Sequence, residues 1–215
     1  MRTLLLGILV GVLALGLTRL ALAPLNPTTH HHANWAVMVH GERIDLSDGR
    51  YMQEISACSG GDEGILPTQR IHMHENEQDI VHVHHPGATW GHLMTNLDLA
   101  LGDDFLFLDA ALVEGIEGLP ANGRLGIPAD EEDDARLLFV VNGFLVPSLA
   151  NRVVESEDRV LIAWTSEDPE IVRTDWFDQV ASNAGDYNER MDPASCSGGH
   201  GDLPLMRRLR LAFWG

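Results

Sequence analysis

The chain reads as an α+β domain in which short strands and hairpins surround one short helix, behind a hydrophobic leader. Three observations point there. Short apolar runs rich in β-branched and aromatic residues recur at 35–40, 137–146 and 159–164, and apolar residues alternate with histidine within 70–85. Asn142-Gly143, set between two apolar runs, carries the chemistry of a two-residue hairpin turn. Thr89 can N-cap a helix over 90–101, which Gly102 would end.

In chain order, residues 1–23 combine Arg2, an apolar run over 4–17 and an Ala21-Leu22-Ala23 cleavage signature, as in a secretory signal peptide. The run is shorter than the roughly 20 residues that span a bilayer. Pro24 directly after the signature disfavours cleavage, so an uncleaved membrane anchor, a transmembrane helix with Arg19 at the interface, is the alternative. Either way the remainder is expected outside the cytoplasm, periplasmic or extracellular. Residues 24–34 read as a polar linker containing His30, His31 and His32, and 35–165 as the main domain. Within that domain a hairpin turns at Gly41-Glu42, a Gly/Ser/Pro-rich loop covers 56–69, and 105–108 is a short strand. Residues 114–135 form an acidic excursion, and a strand is expected at 159–164. The extension 166–215 holds a helical stretch near 170–183 and an irregular tail from Gly185.

Charge excludes one class of partner. There are 32 acids against 14 bases, every base is Arg, and losing Arg2 and Arg19 with the leader leaves 12 bases. So acidic a surface repels nucleic acid, whose binding depends on neutralising phosphates. It suits solubility in salt or attraction of cations. Arg207, Arg208 and Arg210, interleaved with apolar residues, can lie on an anionic membrane or pack as a docking tail.

Cys58 and Cys196 each open a Cys-Ser-Gly-Gly tetrapeptide. In an oxidising compartment they read as one disulfide; separate thiols serving as metal ligands are the alternative.

The chemistry concentrates in segment 70–85. Ile71, Met73, Val81 and Val83 are apolar, and the positions between them, His72, His74, His82 and His84, are all histidine. Side chains alternate faces along a strand, so each strand has an apolar face and an imidazole face. Only a register whose paired residue numbers sum to an even value groups the apolar set. A sum of 156 pairs His74 with His82 and His72 with His84 across a turn at 77–79. Imidazole nitrogens bind Zn²⁺ at about 2.0–2.1 Å, and nitrogen-only ligation suits Zn or Cu over Ca or Mg. His85 and His92 are near enough in sequence to join, with Glu75 or Glu77 as oxygen or supporting partners. A pH-responsive histidine cluster and an inert, solvated polar face stand as alternatives. The His30-His31-His32 run reads as flexible linker, with weak metal binding at best.

The run "FVVNGFLVPSLANRVVESEDRVLIA" over 139–163 resembles the C-terminal half of ubiquitin-like β-grasp proteins of the sulfur-carrier type. Likewise "VHVHHPGATWGHLMTNL" looks like that fold's first strand entering its helix. The resemblance implies a β-grasp-like mixed sheet with one short packed helix. Sulfur-carrier activity requires a C-terminal Gly-Gly, whereas this chain ends in Phe213-Trp214-Gly215. Taken whole, the chain resembles exported, uncharacterised, membrane-anchored prokaryotic proteins, which carry no activity to transfer. The expected function is extracytoplasmic transition-metal binding or sensing, with no catalytic device standing out. A non-enzymatic cell-surface module that binds a protein partner is the other expectation.

Overall fold

A computed structural model describes residues 30–53, 67–116, 119–126 and 134–189, with isolated positions at 7, 11, 14–16 and 18. The chain divides into two compact units. In the unit formed by Met1–Thr28 and Gly199–Gly215, the described positions are helical, and the Thr18 hydroxyl donates to the Ala14 carbonyl at 2.9 Å. Among the described residues no helix is long and apolar enough to cross a membrane. Leader cleavage, the Cys58–Cys196 disulfide, residues 127–133 of the acidic excursion and the C-terminal arginines lie outside the described residues.

The second unit, Thr29–Gly198, is α+β with a mixed sheet. Its long strands are β1 (His31–Val39), β8 (Arg136–Val141) and β10 (Arg159–Thr165). Shorter ones are β2 (Glu42–Arg43), β3 (Ile71–His72), β4 (Ile80–Val83) and β9 (Phe144–Val146). The order is β3-β4-β1-β10-β8-β9, with β2 added to β1. The central pair β1–β10 is parallel and the other pairings in this sheet are antiparallel. A separate small sheet joins β5 (Ala100–Leu101), β6 (Leu106–Phe107) and β7 (Arg124–Leu125).

Strand alternation sorts the sheet's two faces. Ala33, Trp35, Val37 and Val39 of β1 point into the larger core with Ile71, Val81, Val83, Phe139, Val160 and Ile162. Helix Trp90–Asn96 covers that core with Trp90, Leu93 and Met94. On the opposite face, Ala36, Met38, Val140, Leu161 and Ala163 pack beneath Val172, Phe177 and Val180. Both faces are buried. At about 25 cal/mol per Å² of apolar surface, such two-sided burial is the main driving force for folding.

Several elements differ from the sequence reading. Residues 31–34 of the expected linker 24–34 are strand, because β1 begins at His31 and pairs His32 with His82 and Ala33 with Val81; residues 24–29 lie outside the described residues. The first hairpin turns at His40-Gly41, with φ of 49° and 87°, one residue before the expected Gly41-Glu42. Asn142-Gly143 does form the β8–β9 turn, with φ of 52° and 83° as that turn type requires. Thr89 caps the helix as expected, but the helix stops at Asn96 instead of running to 101. Asp98 turns left-handed at φ 57°, after which Leu99 and Leu101 are buried two residues apart, a strand's period. Beyond Asp168 the expected helical stretch is present but ends at Gln179, as a turn of α-helix (Pro169–Ile171), a π-helical segment (Val172–Trp176) and a 3₁₀ turn (Phe177–Gln179). A further helix, Ala184–Glu189, stands where an irregular tail was expected.

The histidine hairpin keeps its parity and changes its offset. Ile71 pairs with Val83 and His72 with His82, a sum of 154 instead of 156. The connection is no three-residue turn. Glu75 and Asn76 both adopt φ of 60°, and the loop beyond is tied to distant chain. Gln78 Oε1 accepts from the Leu46 amide at 2.7 Å, Asp79 pairs with Arg43, and the Asp79 carbonyl accepts from the Trp35 amide at 3.3 Å.

Candidate metal centre

Three neighbouring strands present histidine to the same face, at the β3 end of the sheet. One cross-strand row runs His72, His82, His32, because β3 pairs with β4 and β4 with β1 at those positions. Beside it stand His30 and His84, with rings stacked 4.6 Å apart at 13°. His74 lies on the other side, its ring centroid 3.6 Å from that of His82. His72 reaches His84 at 5.0 Å and His74 at 5.7 Å. Six imidazoles thus share one patch.

The patch is not a solvated strand face. His32, His72, His74 and His82 are only 1–3% exposed. Helix Ala184–Glu189 docks over the β1 end, since the Ala184 amide donates to Asn34 Oδ1 at 2.8 Å and Asn188 bonds His32. Tyr187 sets its ring 5.7 Å from His32 and 6.5 Å from His82.

Burial dictates the charge state. The His72 pKa falls to about 4, chiefly through desolvation, although its Nδ1–H donation to the Thr68 carbonyl at 2.8 Å pulls the other way. The His84 pKa falls to about 2 through desolvation, reinforced by His72, His30, His82 and His32. Neutral imidazole is the form that ligates a metal. Glu75 Oε2 lies 3.9 Å from His74 Nδ1, on a side chain that is about half exposed.

One ligand nitrogen from each of His30, His82 and His84 lies within 4.8 Å of the other two. Tetrahedral Zn²⁺ needs nitrogens roughly 3.4 Å apart, so ring rotations of about an ångström would close the set around an ion. His84 Nε2 is buried with no hydrogen-bond partner among the described residues. A buried imidazole nitrogen in that state costs free energy that a metal bond would recover. The donor set is all imidazole nitrogen, which suits Zn or Cu.

Not every expected ligand joins. His92 is exposed and spends Nδ1 accepting the Thr89 amide at 3.1 Å, as part of the helix cap. Its helix lies on the opposite face of the sheet, so the ring makes no contact with the cluster. His85 follows the strand, and its Nδ1 accepts the Gly87 amide at 3.1 Å in the turn. Glu77 stays in the loop, its amide donating to the His74 carbonyl at 3.1 Å.

Two cluster members were missed by the sequence reading, His30 and His32, both assigned to the linker. The signal was present: apolar Ala33, Trp35, Val37 and Val39 extend one strand face, and His32 and Asn34 fall on the other. His31 points to the opposite side, where Nε2 donates to the Val154 carbonyl at 3.0 Å.

No protein-family model, no curated protein and no solved structure matches this chain.

Proposed function

We propose that this is an exported protein whose β-grasp-like sheet binds a transition metal, Zn or Cu, on its histidine face, in a binding or sensing role. The observation that carries the reading is the convergence of His30, just before β1, with His82 and His84, in and just after β4, nitrogens within 4.8 Å of one another. His72 stands outside that trio, its ring 5.0 Å from that of His84 and its Nδ1 fixed on a carbonyl, and is our candidate for a fourth ligand. A carbonyl-anchored imidazole is the usual support of a metal ligand. The β-grasp assignment is supported by the β4-β1-β10-β8-β9 order with its central parallel pair, and by the helix between β4 and β8. In this order the segment read as a first strand, 81–84, is the outer neighbour of β1. Export is supported by the leader sequence at 1–23.

The test is calorimetric titration of the untagged full chain with Zn²⁺ and Cu²⁺. We expect binding that His30→Ala with His84→Ala abolishes and that His85→Ala with His92→Ala leaves intact. No affinity in the wild-type chain, or equal loss in both double variants, overturns the reading.

A further inference from the structure

We infer that Asn188 and His32 form a hydrogen-bond relay that holds His82 in one tautomer, with the proton on Nδ1 and the lone pair on Nε2. Asn188 is then a positioning residue of the histidine cluster. The inference rests on the metal-binding reading for its purpose, though not for its geometry.

Directions follow one from the next. Asn188 Oδ1 accepts the His32 backbone N–H at 2.9 Å, so that atom is the carbonyl oxygen and not the amide nitrogen. The amide nitrogen sits on the other side, donating to Ser156 Oγ at 3.1 Å and Glu157 Oε1 at 3.4 Å. His32 Nδ1 also lies 2.9 Å from Oδ1, and since a carbonyl oxygen only accepts, that ring nitrogen carries the proton. A neutral His32 therefore has its lone pair on Nε2. His82 Nδ1 is 2.9 Å away and must donate to it. The lone pair of neutral His82 is left on Nε2, the nitrogen turned from His32.

Fixing a ligand's tautomer and ring plane through its second nitrogen is how supporting residues raise metal affinity, typically by 10–100-fold. Here the supporting group is another imidazole, and the chain ends on a helix remote in sequence. Glu157 bears on the same relay through its amide, which donates to the His32 carbonyl at 2.8 Å.

The experiment uses the untagged full chain with ¹⁵N-labelled histidine. Long-range ¹H–¹⁵N correlation on the metal-free protein reads each ring's tautomer, and Zn²⁺ titration reads affinity. We expect wild-type His82 to carry its proton on Nδ1. Asn188→Leu should populate both His82 tautomers and weaken Zn²⁺ binding roughly 10–100-fold. Asn188→Asp combined with Glu157→Gln keeps the acceptor without opposing carboxylates, and should restore the wild-type tautomer. A wild-type His82 protonated on Nε2 overturns the relay, and so does Asn188→Leu leaving the tautomer unchanged. Should Asn188→Leu fail to fold, the wild-type spectrum alone decides. If the wild-type chain shows the Nδ1–H tautomer and binds no Zn²⁺, the relay stands and the metal reading falls.

Discussion

His32 on β1 and His82 on β4 stand directly opposite one another, rings edge to face with centroids 4.4 Å apart. Two of the cluster's six rings, His30 and His32, therefore depend on the start of β1 and the residue just before it. A chain beginning at residue 34 loses His30, His32 and the pairing of His31, His32 and Ala33 with β4. A chain beginning at residue 30 keeps them all. We expect the first to lose Zn²⁺ binding and denature at lower urea, and the second to match the full chain. Parallel titration and urea melts of the two chains check this.

Acid should destabilise the fold through its histidines. His72 and His84 have pKa values depressed below the unfolded value of 6.5, to about 4 and about 2. Below 6.5 the unfolded chain takes up protons that the folded chain refuses. Their stabilising contribution is complete above pH 6.5, and His72 loses its share as pH falls to about 4. For His72 this is on the order of 3 kcal/mol, from about 1.4 kcal/mol per pKa unit. The His84 share continues to decline toward pH 2. Urea midpoints measured between pH 7.5 and 4 should fall, and His72→Asn should flatten that fall.

His92 separates capping from binding. Because its ring completes the Thr89 capping box, His92→Ala is expected to cost about 1 kcal/mol of stability. Metal affinity should not change. A fall in affinity beyond twofold in a fully folded variant would place His92 in the site after all.

Arg159 clasps the C-terminal elements to the sheet. Its guanidinium lies 4.4 Å from the Phe177 ring centroid and donates to the carbonyls of Phe177, Asp178, Val180 and Ala181. Arg159→Met keeps the apolar stem and removes every donor. We expect a loss of about 2 kcal/mol, within the usual worth of charge-assisted bonds. Faster amide exchange across 177–189 should accompany it if the clasp is what holds helix Ala184–Glu189 in place.

What the sequence made legible was local. Alternation at 71, 73, 81 and 83 determined which face the histidines take, because a one-residue slip would have put Ile71 and Val83, now 0% exposed, on the wrong side. Asn142-Gly143 announced its own turn. The offset of the histidine hairpin was not legible, since it is set by Gln78 reaching Leu46 and Asp79 reaching Arg43, contacts over thirty residues apart. The early stop of helix Trp90–Asn96 was hidden too, because Leu97, Leu99 and Leu101 fit a helix or a strand until their partners are known. Asn188 gave no signal, being one polar residue in a polar segment. Its role exists only once that helix meets β1.

His30, His72 and the near neighbours His82 and His84 come from three separate stretches of chain that meet only through strand pairing. An ion gripping His30 together with His82 closes a ring of some fifty residues, as a covalent bridge between those positions would. Metal uptake would then act as a reversible rivet between the N-terminal strand and its neighbour. Pulling on the chain ahead of residue 30 would load that rivet first, and chelation would release it without breaking a bond in the backbone.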